Sequence, residues 1–286
     1  MTRKLLDLSG KIDPTTIEFY EAIATVAASL NIPFFVVGAA ARDMIFEHGF
    51  GVTPRRATTD IDLGVKVSDW NQYKKLRKGL IETGDFTPSE QPQRLSYYKD
   101  KLLVDIVPFG LLEDDKNIIT WPPERDVKMS TLGFEEAFNY SQVVRLMTNP
   151  NLEIAFATPA GLAIMKIVSW NERYPERGRD AIDLEILMRN YIEAGNSQRL
   201  YNEDADLLNE EDFDYEIASA RLLGRDIAKI AKPETRSALL AILDHETGEQ
   251  ERYRLVEDVM RSVFSSGETF EGKLQLLEAL KKGILD

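Results

Sequence analysis

Asp60 and Asp62 stand one residue apart in the stretch TTDIDLGVKV, residues 58–67. Residues i and i+2 of a strand share a face, so a strand here sets two carboxylates side by side. Ile61 and Leu63 alternate with them, which makes the opposite face core. Carboxylates held this close repel each other and lose hydration, and a divalent cation between their oxygens offsets both costs. A third carboxylate, Asp105, sits in the middle of KLLVDIVPF, residues 101–109. Leu103 and Val107 share its face, while Leu102, Val104, Ile106 and Pro108 take the other. A lone charge in such a run is expensive to bury. Two readings account for it: an Asp paired with a nearby Arg, or a third metal ligand on the strand beside Asp60 and Asp62. Three carboxylates on adjacent strands can hold two divalent ions, one activating an attacking oxygen and one bound to phosphates. Carboxylate donors select hard ions, Mg2+ or Mn2+. With no Cys and only His48 and His245, there is no thiolate metal site or thiol nucleophile, and a multi-histidine zinc site is all but excluded.

Other residues have the types needed to meet a phosphate. In VVGAAARDM, residues 36–44, Gly38 is followed by small residues where a strand gives way to a helix. Such a turn lets backbone N–H groups approach an anion at the positive end of the helix, although tight turns also need Gly for geometry alone. Arg42 lies in the first turns of that helix. Arg55 and Arg56 precede Asp60 in a Gly/Pro loop, either as phosphate or acceptor contacts or as an ordinary solvated pair. The chain lacks G-x-x-x-x-G-K-[ST], and Gly49-x-Gly51 has no dinucleotide-binding context and reads as a flexible loop. Lys166 is set among Ile164, Met165, Ile167 and Val168, where a lysine can snorkel to the helix edge. Asp180 and Asp183, three apart, share a helical face, and Asp180 also stands i+3 from Arg177.

The elements that must position these residues follow from periodicity and punctuation. Asp13 as N-cap and Pro14 at the first helical position open a helix over 13–31. A buried strand follows at 32–40, a short helix before Gly49, a loop, and the strand at 60–67. A helix over 68–84 takes Ser68 or Asp69 as its cap and Gly84 as its stop. Residues 93–110 read as two strands joined by a turn, 113–126 as a loop and 134–158 as mixed β structure. From Thr158 the pattern is helical: 158–174, 177–195, then around 213–230, 233–244, 250–264 and 270–283. The acidic run 202–214 reads as a solvated linker or a helix-entry loop. The fold class expected is α+β: a mixed sheet flanked by helices in a domain over 1–155, then an all-helical domain over 156–286. The 286 residues carry a net charge of −13 and a sequence pI near 4.8. That argues against extensive tracking of nucleic-acid phosphates but leaves a local patch around Arg55, Arg56 and Lys66. No apolar run approaches the roughly 18 residues of a membrane span, and the N-terminal stretch lacks a signal-peptide core. With the absence of Cys, this fits a reducing cytoplasm, the expected location.

The ordered triple VVGAA, TDIDLGV and LVDIV resembles the hG[GS], Dh[DE]h and h[DE]h hallmark of the nucleotidyltransferase fold of the DNA polymerase β superfamily. Within it, Lys166 in GLAIMKIVSW and Asp180 and Asp183 in GRDAIDLEIL resemble AbiEii/AbiGii-type toxins, with the matches spanning about residues 34–190. Two features depart from the pattern: Ala39 stands where many members have Gly or Ser, and Asp60 follows Gly38 by 22 positions. The resemblance implies a metal-dependent transferase that moves an NMP from an NTP to a hydroxyl of RNA, tRNA included, or of protein. It implies a toxin held by a cognate antitoxin or a phage-defence protein, with no membrane partner. Asp60, Asp62 and Asp105 would be the catalytic metal ligands for Mg2+ or Mn2+. Gly38, Ala39, Arg42, Arg55, Arg56, Thr59, Lys166 and Asp183 would be the nucleotide contacts, Lys166 as a point charge on the triphosphate. The alternatives are a catalytically silent nucleotide-sensing module and a carboxylate-metal phosphohydrolase or nuclease.

Overall fold

Eight strands between Leu6 and Phe156 hydrogen-bond into one mixed sheet. The structure is a computed structural model that describes residues 5–53, 60–99, 102–122, 127–209, 213–248, 252–261 and 269–286. It divides into two units, Met1–Gly49 with Arg56–Thr158, and Phe50–Arg55 with Pro159–Asp286. The first contains β1 (Leu6–Asp7), α1 (Pro14–Ser29), β2 (Phe34–Val37), α2 (Gly38–Asp43), β3 (Asp60–Val67), α3 (Trp70–Glu82), β4 (Phe86–Pro88), β5 (Arg94–Tyr97), β6 (Leu102–Gly110), β7 (Ile118–Thr120), β8 (Lys128–Ser130), α4 (Phe134–Asn139), β9 (Gln142–Thr148) and β10 (Asn151–Phe156). The sheet order is β1-β9-β10-β2-β3-β6-β5-β4, and β7 and β8 form a separate hairpin. The helix starts follow their caps. Asp13 accepts the Thr16 N–H at 2.9 Å ahead of α1. Asp69, not Ser68, caps α3, accepting from the N–H groups of Asn71 and Gln72 at 2.7 and 2.9 Å.

Register decides what the central strands present. β3 runs parallel to β6, pairing Asp62 with Asp105, Gly64 with Val107 and Lys66 with Phe109. β2 runs antiparallel to β3, pairing Phe35 with Gly64. On this face Phe35 and Phe109 meet Phe134 and Phe138 of α4, with ring centroids 5.6 to 6.3 Å apart. A Cβ on Gly64 would lie 2.2 Å from the Phe35 ring, so Gly is what lets that aromatic lie flat on the strand. Lys66 reaches α4 as well, with Nζ 3.3 Å from Glu135 and 5.6 Å from the Phe138 ring centroid. α4 therefore caps the Lys66–Phe109 end of the face, and the Asp62–Asp105 end lies beyond it. On the other face, Ile61, Leu63 and Val65 are buried beneath α1 and α3. There Phe19, Tyr20, Phe86, Tyr97 and Phe156 form a chain of edge-to-face and tilted ring contacts.

Three segments differ from expectation. Residues 134–139 are helix, not strand. Gly133 turns the chain at φ 89°, and Glu135 and Glu136 occupy the first turn, where the helix dipole favours acids. The 113–126 segment is more than loop, because β7 pairs with β8. The acidic run 202–214 is not simply solvated. Asp204 is 6% exposed and accepts from Arg199 at 3.1 Å and Arg225 at 3.0 Å, and Asp214 caps the next helix.

The second unit holds α5 (Pro159–Glu172), α6 (Gly178–Asn190), α7 (Ser197–Tyr201), α8 (Tyr215–Ile230), α9 (Pro233–Thr247), α10 (Arg254–Met260) and α11 (Phe270–Leu285). No described helix is long and apolar enough to cross a membrane. α8 and α11 approach to backbone contact at two glycines. A Cβ on Gly283 would lie 2.0 Å from the Arg221 carbonyl oxygen, and one on Gly224 would lie 2.2 Å from the Leu280 carbonyl oxygen. Gly inside a helix ordinarily costs about 1 kcal/mol relative to Ala, so Gly→Ala is normally stabilising. Here the obstacle is backbone, which cannot rotate away. Gly283→Ala is expected to destabilise by about 1–3 kcal/mol, read as a lower midpoint in urea unfolding followed by helical circular dichroism. An unchanged or higher midpoint would contradict this packing.

Candidate active site

The carboxylates are brought together by register. Asp62 and Asp105 face each other across neighbouring parallel strands, and Asp60 lies two residues from Asp62 on the same face of β3. All three are partly exposed, as expected at the end of the face that α4 leaves. β2 delivers Gly38 to the same place: Val37 pairs with Asp62, and the chain then turns into α2. Gly38 has φ +67°, and a Cβ there would sit 2.1 Å from Asp62 Oδ2. Its two roles are thus separable: the left-handed backbone disfavours any side chain, and the bare Cα makes room for the Asp62 carboxylate.

Asp105 has a partner of its own. Arg94 on β5 is its register neighbour in the antiparallel β5–β6 pair. The guanidinium donates to both carboxylate oxygens, Nε to Oδ1 and Nη2 to Oδ2, each at 2.7 Å. The pair is largely buried, with side chains 22% and 15% exposed. Arg94 is held above its ordinary pKa, first by these hydrogen bonds and against a lowering by burial, with the charges of Asp105, Asp60 and Asp62 adding to it. One cation is thus within electrostatic reach of all three carboxylates. Both readings of Asp105 meet here, since the Asp paired with an Arg is also the one in register with Asp62. Sequence inspection missed Arg94. Its signal was weak: an Arg opening RLSY, on a strand destined to pair with LLVDIV.

The donor set suits a hard divalent cation, being carboxylate oxygen throughout. Among the described residues no three acidic or imidazole side chains converge into a ready-made cage, because Asp105 is turned onto Arg94.

The remaining expected contacts are distributed as follows. Arg42 is 2% exposed, with Nε and Nη2 on Asp43 at 2.8 and 2.7 Å. Ala39 follows Gly38 in the first turn of α2. Arg55, Arg56 and Thr59 lie outside the described residues. In the helical unit, Lys166 of α5 donates to Asp180 Oδ1 and Asp183 Oδ2 of α6, each at 2.7 Å. Asp180 Oδ2 is buried without a hydrogen bond, 3.9 Å from Arg177. Burial lowers the Lys166 pKa, but the two carboxylates outweigh it and hold the ammonium above its ordinary value. An ammonium has three donors, and among the described residues the third has no partner.

A family model described as nucleotidyl transferase AbiEii toxin, type IV toxin–antitoxin system, matches residues 26–261. No curated protein matches the sequence. Among solved structures, the antibiotic-resistance factor ANT(2'')-Ia is similar at 13% identity and TM-score 0.34, over 68% of this chain and 98% of that one. A CCA-adding enzyme in complex with ATP is similar at 14% identity and TM-score 0.33, over 96% and 82%. The Thermotoga maritima CCA-adding enzyme complexed with tRNA gives 11% and 0.27, over 97% and 82%.

Proposed function

Because the chain belongs to the AbiEii nucleotidyl transferase toxin family, we propose that the Asp60–Asp62–Asp105 face is its catalytic centre and that its reaction is transfer of an NMP from an NTP to an acceptor hydroxyl. The chain is a nucleotidyltransferase. The finer reading is that it depends on Mg2+ or Mn2+, modifies RNA or protein in the cytoplasm, and is restrained by an antitoxin. The observation that carries it is the register of Asp62 against Asp105 on adjacent parallel strands, at the end of the sheet face that α4 leaves.

Asp60, Asp62 and Asp105 would hold the ions. Bound there, divalent cations supply activation of the attacking hydroxyl and neutralisation of charge on the α-phosphate. The acceptor oxygen forms a bond to the α-phosphorus, the bond to the bridging oxygen of the β-phosphate breaks, and pyrophosphate leaves. The hydroxyl proton passes to the Asp105 carboxylate. The turn after Val37, with only a Cα at Gly38 and a methyl at Ala39, lets backbone N–H groups approach the phosphates. Lys166, whose position is fixed by Asp180 and Asp183, is the further cation that the family pattern assigns to the nucleotide.

The test is incubation with α-labelled NTPs, Mg2+ and total RNA or total protein, followed by acid precipitation and pyrophosphate measurement. Label in the precipitate with matching pyrophosphate release is expected, and neither is expected without the metal. Label released as free NMP, with its pyrophosphate or phosphate, and none in the precipitate would identify a phosphohydrolase instead. NTP-dependent stabilisation without turnover would identify a sensing module.

A further inference from the structure

From the geometry of β5 and β6 we infer that Arg94 is a stand-in cation for the active-site metal: it holds Asp105 while the metal is absent and must release it before all three carboxylates can bind a divalent ion. The inference rests on the metal-site reading given above.

The argument is one of lone pairs and charge. Both oxygens of Asp105 are occupied by Arg94 Nε and Nη2 at 2.7 Å, a fork geometry that leaves the carboxylate turned along β5. A carboxylate so held has spent its best donor directions. Three carboxylates at the end of one sheet face also need countercharge when no metal is present, and the Arg94 guanidinium, forked onto Asp105, supplies one positive charge at that end. The ion pair lies on the acidic face of the sheet. Its arginine is in register with the metal-ligand candidate itself. The Arg94 side chain is 22% exposed, so it can turn outward without opening the core. Metal and Arg94 therefore compete for Asp105.

Competition gives a sign that mere positioning would not. If Arg94 only orients Asp105 for the metal, removing it weakens metal binding. If it stands in for the metal, removing it strengthens binding and destabilises the metal-free protein. The experiment titrates Mn2+ into the full chain, reading free Mn2+ by electron paramagnetic resonance, for wild type, Arg94→Gln, Arg94→Lys and Asp105→Asn, with and without Arg94→Gln. Arg94→Gln is expected to tighten Mn2+ binding roughly five- to tenfold and to lower the metal-free melting temperature, the gap closing as Mn2+ is added. Arg94→Lys, which keeps the charge but not the fork, is expected to fall between the two and covers the case in which Arg94→Gln does not fold. In the Asp105→Asn background, Arg94→Gln is expected to leave Mn2+ affinity unchanged. Equal or weaker Mn2+ binding by Arg94→Gln, or by Arg94→Lys where only that variant folds, overturns the inference while leaving the metal site standing. Wild-type protein that binds no Mn2+ overturns the metal reading itself, and this inference with it.

Discussion

Replacing Asp62 by Asn should cut nucleotidyl transfer by about three orders of magnitude while the chain stays folded. Asp62 is the point where three independent features meet. It faces Asp105 across the β3–β6 ladder, it is two residues from Asp60, and its Oδ2 lies where a Cβ on residue 38 would otherwise be. Asn keeps the size of the side chain, so the close approach to Gly38 survives. What is lost is one negative donor, and a neutral amide oxygen holds a divalent ion and the attacking hydroxyl far less firmly. In the metal-free protein the same change removes like-charge repulsion beside Asp60, so thermal stability is expected to be unchanged or slightly higher. Initial rates of label transfer at saturating NTP and Mg2+, with a melting curve in chelator, measure both quantities. Transfer within about tenfold of wild type would remove Asp62 from the chemistry. A collapsed melting curve would mean that Asp62 had served the fold instead.

The part of this site that could be read from the sequence is the part written in period-two alternation. DIDLGVKV is strand β3 to the residue, because Ile61, Leu63, Val65 and Val67 can only be one buried face. LLVDIVPFG announces β6 in the same way. What alternation cannot say is which strands become neighbours, and so the Asp62–Asp105 register had to come from the structure. Arg94 was missed for that reason: its meaning lies in its cross-strand partner, and the four residues of β5 carry too little pattern to announce the pairing. The 134–139 helix was hidden because FEEAFN is short, aromatic and flanked by strand-like sequence. Its helicity depends on the Gly133 turn and on Phe134 and Phe138 meeting Phe35 and Phe109. The acidic run 202–214 misled through composition. Asp204 looks solvated until Arg199, five residues before it, and Arg225, distant in sequence, close on it, while Asp206 stays 60% exposed.

Lys166→Met is expected to destabilise the helical unit by about 3 kcal/mol, a result that separates two jobs the same residue could hold. A lysine whose main role is to meet a triphosphate contributes little to folding, and its loss shows in KM. The arrangement on α5 and α6 is different. The Lys166 side chain is 16% exposed and those of Asp180 and Asp183 are 4% and 6% exposed. Asp180 Oδ2 is already buried without a hydrogen bond. Removing the cation leaves two carboxylates, three residues apart on one helix, facing each other's charge with little water to share it. Methionine fills the volume of the lysine stem, so the loss isolates charge from packing. Adding Asp183→Asn to Lys166→Met removes one of the stranded charges and is expected to restore part of the stability, a recovery that a simple loss of contacts would not give. Urea unfolding monitored by circular dichroism measures the stability, and transfer kinetics on the fraction that stays folded measure KM. Stability changed by less than about 0.5 kcal/mol together with a raised KM would assign Lys166 to the nucleotide alone. A large stability loss relieved by Asp183→Asn would instead make the α5–α6 ion triad a clamp that holds Lys166 in place, with one N–H left over for a phosphate.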